Sequence, residues 1–153
     1  MAATAFSLCF FLLLAGCSVQ RRHTSNPILD PEHGRIQFQN YCAACHQYDG
    51  QGMGDAPPLD GSPWVTGPED RLIGIVLHGV RGPMEVSGKT YDLEMPGFGQ
   101  VLSDAGAASL LSFVRMRFGA PVAPIAPAAV SRVRALHKTR TDYWSVEELL
   151  KIP

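Results

Sequence analysis

Apolar side chains change their spacing several times along this chain. Residues 1–16, "MAATAFSLCFFLLLAG", carry no charge and hold an apolar run of about a dozen residues, shorter than the ~20 that a membrane-spanning helix needs. Residues 18–29, "SVQRRHTSNPIL", are polar and without periodicity, as a tether would be. Helical spacing begins beyond them. Asp30-Pro31-Glu32 combines an N-cap acid, a first-turn proline and a second acid at the positive end of the helix dipole. Phe38, Tyr41, Cys42 and Cys45 then fall at i, i+3, i+4 and i+7, predicting one buried face shared by both thiols and two aromatics.

Residues 49–70 have glycine or proline at almost every second or third position, so neither a helix nor a central strand can run through them. Such a segment has to wrap around something. Pro68 opens a second helix to about His78, with Leu72, Ile73, Val76 and Leu77 as its apolar stripe and Gly79 as its stop. A second punctuated loop holds "LEMPGFG". Ser103-Asp104 caps a third helix to Phe118, with Leu110, Leu111, Val114 and Phe118 on one face and Gly119 after it. Prolines at every third position over 120–129 predict an extended, semi-rigid linker. "AVSRVRALHKTR" follows as a short basic helix, and Ser145 to Glu148 form a capping box for a last turn or two. No period-two alternation is long enough to argue for a sheet, so the pattern is that of an all-α domain over 30–119 with a tail over 120–153.

Composition bounds the rest. With 153 residues, 46% of them apolar, the chain has room for one compact domain of roughly 100 residues plus appendages. A formal net charge of -1 provides no basic field for a phosphate backbone, which excludes nucleic acid as a partner. Residues 1–16 read as an export signal. Their end, Leu14-Ala15-Gly16-Cys17, resembles the bacterial lipoprotein signal, in which the cysteine thiol takes lipid and becomes the first residue after cleavage. One departure is that no Lys or Arg precedes the apolar run. One acyl chain holds a protein to a membrane marginally and two hold it firmly, at ~0.8 kcal/mol per buried methylene. The resemblance therefore implies a domain tethered through Cys17 and residues 17–29, not embedded. Of four cysteines, Cys9 leaves with the signal and Cys17 takes lipid. Only Cys42 and Cys45 remain, too few for a disulfide framework.

Those two stand in "CAACH", residues 42–46. Three chemistries use such a pair: structural zinc, a redox dithiol, and covalent haem. Zinc wants four N or S ligands, whereas the chain adds only scattered histidines at 23, 33, 46, 78 and 137, and His46 follows Cys45 too closely to turn onto the same ion. A redox dithiol normally opens a helix after a strand, but here the pair comes at the end of an amphipathic helix. Cys-x-x-Cys-His is the attachment signature of c-type haem, in which each thiol adds to a porphyrin vinyl group and the histidine lies under the iron.

"YCAACHQYDGQGMGDAPPLDGS", together with "MPGFG" and a closing amphipathic helix, resembles the class I c-type cytochromes of bacteria. The run "LIGIVLHGVRGPMEVSGKTYDLEMPGF" is similar to the cytochrome modules that accompany periplasmic dehydrogenases. The likeness covers about residues 31–119. It implies an all-α class I fold of about three core helices wrapped around one covalently bound haem c, with a C-terminal extension. It also implies that the second iron ligand lies in a Met-Pro loop before the last helix, which designates Met95, with Met53 and Met84 as rivals. Pro96 biases Met95 to an extended conformation, and a thioether ligand raises the reduction potential. The family's Pro-x-Leu-x-Gly segment appears as "PPLDG", so the resemblance gives the Pro57 carbonyl the task of orienting His46. Trp64 has an indole N–H suited to a haem propionate or, as readily, to a packed core. Tyr91 and Phe98 are expected as pocket walls, Gly50, Gly52 and Gly54 as turn formers, and His78 as a structural histidine at a helix end.

With His46 and Met95 both on iron, no coordination site is open, and the expected function is one-electron transfer and not catalysis. A periplasmic dehydrogenase is then the donor, and an oxidase or another cytochrome the acceptor. The expected location is the periplasmic face of a bacterial membrane, with Ser18 after Cys17 favouring the outer one. A haem enzyme or gas sensor with a labile sixth ligand is the alternative that Met95 opposes. A dedicated dehydrogenase subunit is the other, motivated by Arg132, Arg134, Lys138 and Arg140 in the tail. Against it stands a solvated helix latched to the domain by Trp144.

Overall fold

The computed structural model describes residues 31–92, 94–119 and 121–153. Cys17, the export signal, the tether and the Asp30 cap lie outside the described residues. In chain order the elements are α1 (Pro31–Tyr41), α2 (Ala43–His46), α3 (Pro63–Thr66), α4 (Glu69–His78), β1 (Gly79–Arg81), β2 (Met84–Val86), β3 (Lys89–Tyr91) and β4 (Met95–Pro96). The chain then forms α5 (Asp104–Phe118), α6 (Pro127–Leu136), β5 (Trp144–Ser145) and α7 (Val146–Leu150).

Helices α4 to α7 form where the sequence predicts them, and one further turn, α3, forms inside residues 49–70, where no helix was expected, because Pro63 opens it and the Ser62 hydroxyl caps it by accepting the Trp64 N–H. The α1–α5 crossing depends on Gly34, because a Cβ there would lie 2.3 Å from the Ser109 carbonyl oxygen and 2.7 Å from the Phe113 Cβ. That close approach seats Phe38 between Phe113 and Phe118, with ring centroids 5.6 and 5.2 Å away. On α5, Ser103 accepts the Gly106 N–H at 3.1 Å, the cap that the sequence predicts. In α4 every residue from Leu72 to Leu77 is buried, more than one stripe would bury, because the helix is packed from two sides. Gly79 ends it at φ +78°, and any larger residue would bring a Cβ to 2.3 Å from the Met95 carbonyl oxygen.

Two further differences from the sequence reading have physical causes. Strands are present, but each has only two or three residues, too few for alternation to register. β2 and β3 form a hairpin whose two-residue turn, Ser87 at φ 51° and Gly88 at φ 77°, supplies the positive angles that tight hairpins require. β1 is the centre of a three-stranded sheet, antiparallel to β4 (Val80 opposite Met95) and parallel to β5 (Val80 opposite Trp144). The all-α class therefore stands with small sheets added.

The second difference is the tail. The proline-rich stretch, expected as an extended, semi-rigid linker, is packed against the domain: Ile125 is fully buried in the main core, and its N–H donates to the Ser112 hydroxyl at 2.9 Å. Val130 and Val133 continue that core from α6. Trp144, at 5% exposure, and Leu149 belong to a second buried cluster with Ile75, Val80, Met84 and Val86. Three of the basic side chains are engaged within the domain. Arg132 makes a bidentate pair with Asp70 at 2.6 Å, and Arg134 reaches Asp104 at 2.8 Å and the Gly99 and Leu102 carbonyls. Arg140 pairs with Glu148. The Ser145–Glu148 capping box forms as expected, with its two reciprocal bonds at 3.2 and 2.9 Å.

Ile125→Ala should therefore lower the unfolding free energy by about 2–5 kcal/mol, measured by guanidinium denaturation; a change below about 0.5 kcal/mol would mean that this stretch adds nothing to the core. His78 sits where α4 meets the tail, its Nε2 buried without a partner. Burial, then the nearby His137, Arg140 and Arg134, hold its pKa below the ordinary 6.5. As the pH falls through 6.5 the unfolded chain takes up this proton first, so stability should decline on the acid side. The guanidinium midpoint should be lower at about pH 5.5 than at about pH 7.5, and His78→Gln should shrink that difference.

Candidate functional site

The attachment motif is not the end of one continuous helix. Cys42, at φ -120° and ψ -36°, separates α1 from α2 while the bonds Cys42 N–H to Phe38 O and His46 N–H to Cys42 O, both 2.9 Å, keep the chain coiled. This break corrects the shared-face expectation. Phe38 and Cys42 are buried, whereas Tyr41 and Cys45 are exposed. Both thiols nonetheless line one cleft with His46, since α2 turns them to its rim. Burial, with a smaller contribution from Cys45, pushes the Cys42 thiol up to about 12.

His46 is buried, and its Nδ1–H donates to the Pro57 carbonyl oxygen at 3.0 Å. A carbonyl only accepts, so this bond puts the proton on Nδ1 and leaves the Nε2 lone pair available. Burial depresses the imidazole pKa more than the Pro57 bond raises it, which favours the neutral ring that a metal requires. The loop between them is held by its glycines. Gly52 lies at φ +73°, its N–H donates to the His46 carbonyl at 3.0 Å, and a Cβ on it would meet the Ala56 carbonyl oxygen at 2.3 Å. Gly50 and Gly54 also have positive φ, in keeping with turn formers.

The cleft holds about 1090 Å³ of space, its mouth included. Its walls are largely apolar and include Val76 and Val80, Leu111 and Val114 of α5, Met84, Tyr91 and Met95. Met95 packs against both buried clusters. Of its rivals, Met53 is 62% exposed, with its sulfur accepting from Gln47, and is absent from the lining. Met84 does line the cleft, so position alone leaves two methionines. Trp64 also lines it, and its indole N–H donates to the Glu85 carbonyl at 3.1 Å. Phe98 is not a wall; it packs on Tyr41 with centroids 5.7 Å apart. Among the described residues no three His, Cys, Asp or Glu side chains group as a metal site.

Residues 29–114 match the family described as Cytochrome C oxidase, cbb3-type, subunit III. The chain belongs to the class I c-type cytochromes. This cytochrome is 33% identical over 118 residues to a cytochrome c-552 of Thermus thermophilus, covering 74% of this chain and 72% of that protein. It is 32% identical over 124 residues to the fructose dehydrogenase cytochrome subunit of Gluconobacter japonicus, and 35% over 95 residues to the gluconate 2-dehydrogenase cytochrome c subunit of Pantoea cypripedii. The matches cover 74% and 59% of this chain but only 24% and 21% of those two proteins.

The cytochrome therefore carries covalently bound haem c with its iron, and its work is electron transfer. The cleft suits that group: two unpaired thiols at the rim, an oriented neutral imidazole beside them, and apolar walls around the space between. The strand-borne walls at Val80, Met84 and Val86 were not legible in the sequence. Short β-pairings build them, and these leave no periodic signal.

Proposed function

We propose that this cytochrome is a closed, six-coordinate one-electron carrier. Cys42 and Cys45 supply the thioether anchors, His46 Nε2 one axial ligand and the Met95 sulfur the other. The observation that carries this reading is the pairing, in one apolar cleft, of an imidazole committed to the Pro57 carbonyl with Met95 on a paired strand. Haem supplies an iron that takes up and releases one electron. The chain's residues do the rest: the thioethers fix the edge of the macrocycle, and Pro57 sets the tautomer of His46. The apolar walls keep water away, and a ligand on each face leaves no position for substrate. Met95 is favoured over Met84 because Pro96 keeps it extended and Gly79 lets its backbone approach β1.

Met95→Ala should open the sixth position, so that ferrous protein binds carbon monoxide readily and the reduction potential falls. Met84→Leu should leave both unchanged. The opposite pattern would transfer the ligand role to Met84.

The two relatives named as dehydrogenase cytochrome subunits support a dehydrogenase as the electron donor. An oxidase or a second cytochrome is the corresponding acceptor. The Leu14-Ala15-Gly16-Cys17 signal supports export and a lipid tether at the periplasmic face, with Ser18 favouring the outer membrane. Cys17→Ser should move the cytochrome from the membrane to the soluble periplasmic fraction and abolish incorporation of labelled palmitate. Continued labelling would place any lipid elsewhere.

A further inference from the structure

The C-terminal segment pairs with β1, the strand that on its other edge pairs with the one bearing Met95. Val80 of β1 is registered with Met95 on one side and with Trp144 on the other. β4 is two residues long, so its own pairing secures it weakly, and what lies behind β1 decides how firmly it is held. That backing is built in detail. A Cβ on Gly79 would lie 2.3 Å from the Met95 carbonyl oxygen and 2.7 Å from the Tyr143 ring, so strand, turn and tail converge at one point. Trp144 is buried among Ile75, Val80, Met84, Val86 and Leu149, the cluster against which Met95 packs.

The indole itself is seated from every side. Gly74 makes room for it, since a Cβ there would stand 3.2 Å from the Trp144 Nε1. The Arg140 guanidinium lies 3.5 Å from the ring centroid and is held by Glu148 and the Tyr143 carbonyl. His137 meets the ring edge-on at 4.9 Å. Arg71 fastens the chain end by donating to the Ile152 carbonyl at 3.0 Å.

We propose that Trp144 is a positioning residue for Met95, through which the C-terminal segment presses the methionine strand into the cleft. The inference rests on the assignment of Met95 as axial ligand. A thioether is a weak ligand, so its hold on iron depends on the loop being fixed in place before the bond forms.

The test uses the full-length holoprotein and compares Trp144→Ala, Trp144→Phe, Ile125→Ala and Met95→Ala by carbon monoxide titration of the ferrous form and by reduction potential. Trp144→Ala should bind carbon monoxide at least tenfold more tightly than the parent and shift the potential downward, toward Met95→Ala. Trp144→Phe should restore most of both. Ile125→Ala, destabilised in the same tail but away from β5, should change neither. Parental values for Trp144→Ala beside altered values for Met95→Ala would overturn the inference while leaving the ligand assignment intact. Equal shifts in Ile125→Ala would reduce the effect to general stability and overturn it also. If Met95→Ala alters nothing, the ligand assignment fails and this inference with it. Should Trp144→Ala not fold, Gly74→Ala, which displaces the indole with the tail in place, is judged by the same two outcomes.

Discussion

A cleft walled by the core's own side chains, in a chain of this size, sets the terms for everything else. A small domain has little apolar surface to bury on itself, and here many of the same side chains must serve both the core and the cleft wall. Val65, Leu72, Val76, Leu111 and Val114 are buried core residues that also line the cleft. The fold and the cofactor site are thus one object. Covalent attachment through Cys42 and Cys45 suits such a protein, because it makes the group that fills the cleft a permanent part of the core.

The same constraint accounts for the tail. Helices α2, α3, α4 and α5 line one side of the cleft, but the side of Met84, Val86 and Met95 is built from strands of two or three residues. Strands that short cannot hold themselves. The chain backs them with Trp144 and Leu149 from β5 and α7, and closes the outer face of α4 with Ile125, Val130 and Val133. Arginines that in sequence look like a basic docking arm lie at this seam, held by Asp70, Asp104 and Glu148. Local charge counting misses this because each partner is distant in sequence, except the pair Arg140–Glu148.

Where the structure departs from the sequence reading, the causes are a local break at Cys42 and contacts between distant segments. The i, i+3, i+4, i+7 spacing through Cys45 assumed one straight helix axis, whereas the chain breaks at Cys42, and Tyr41 and Cys45 are exposed. Phe98 was expected at the wall from its place after Met95, yet Tyr41 of α1 claims its ring. Trp64 found an acceptor 21 positions away, the Glu85 carbonyl on a hairpin that its own segment does not announce.

By itself the sequence determined the chemistry and the helices. Cys42, Cys45 and His46 are adjacent in the chain, and capping boxes, glycine stops and helical stripes are properties of short segments, so both are written locally. The tertiary structure decided Val80 between Met95 and Trp144 and Ile125 in the main core, and it supplied the bond from His46 to the Pro57 carbonyl that the family resemblance implied. These are pairings across 11 to 64 residues of chain, with strands too brief to carry a period of their own. Such partners meet only in the packed backbone, which no short segment specifies alone.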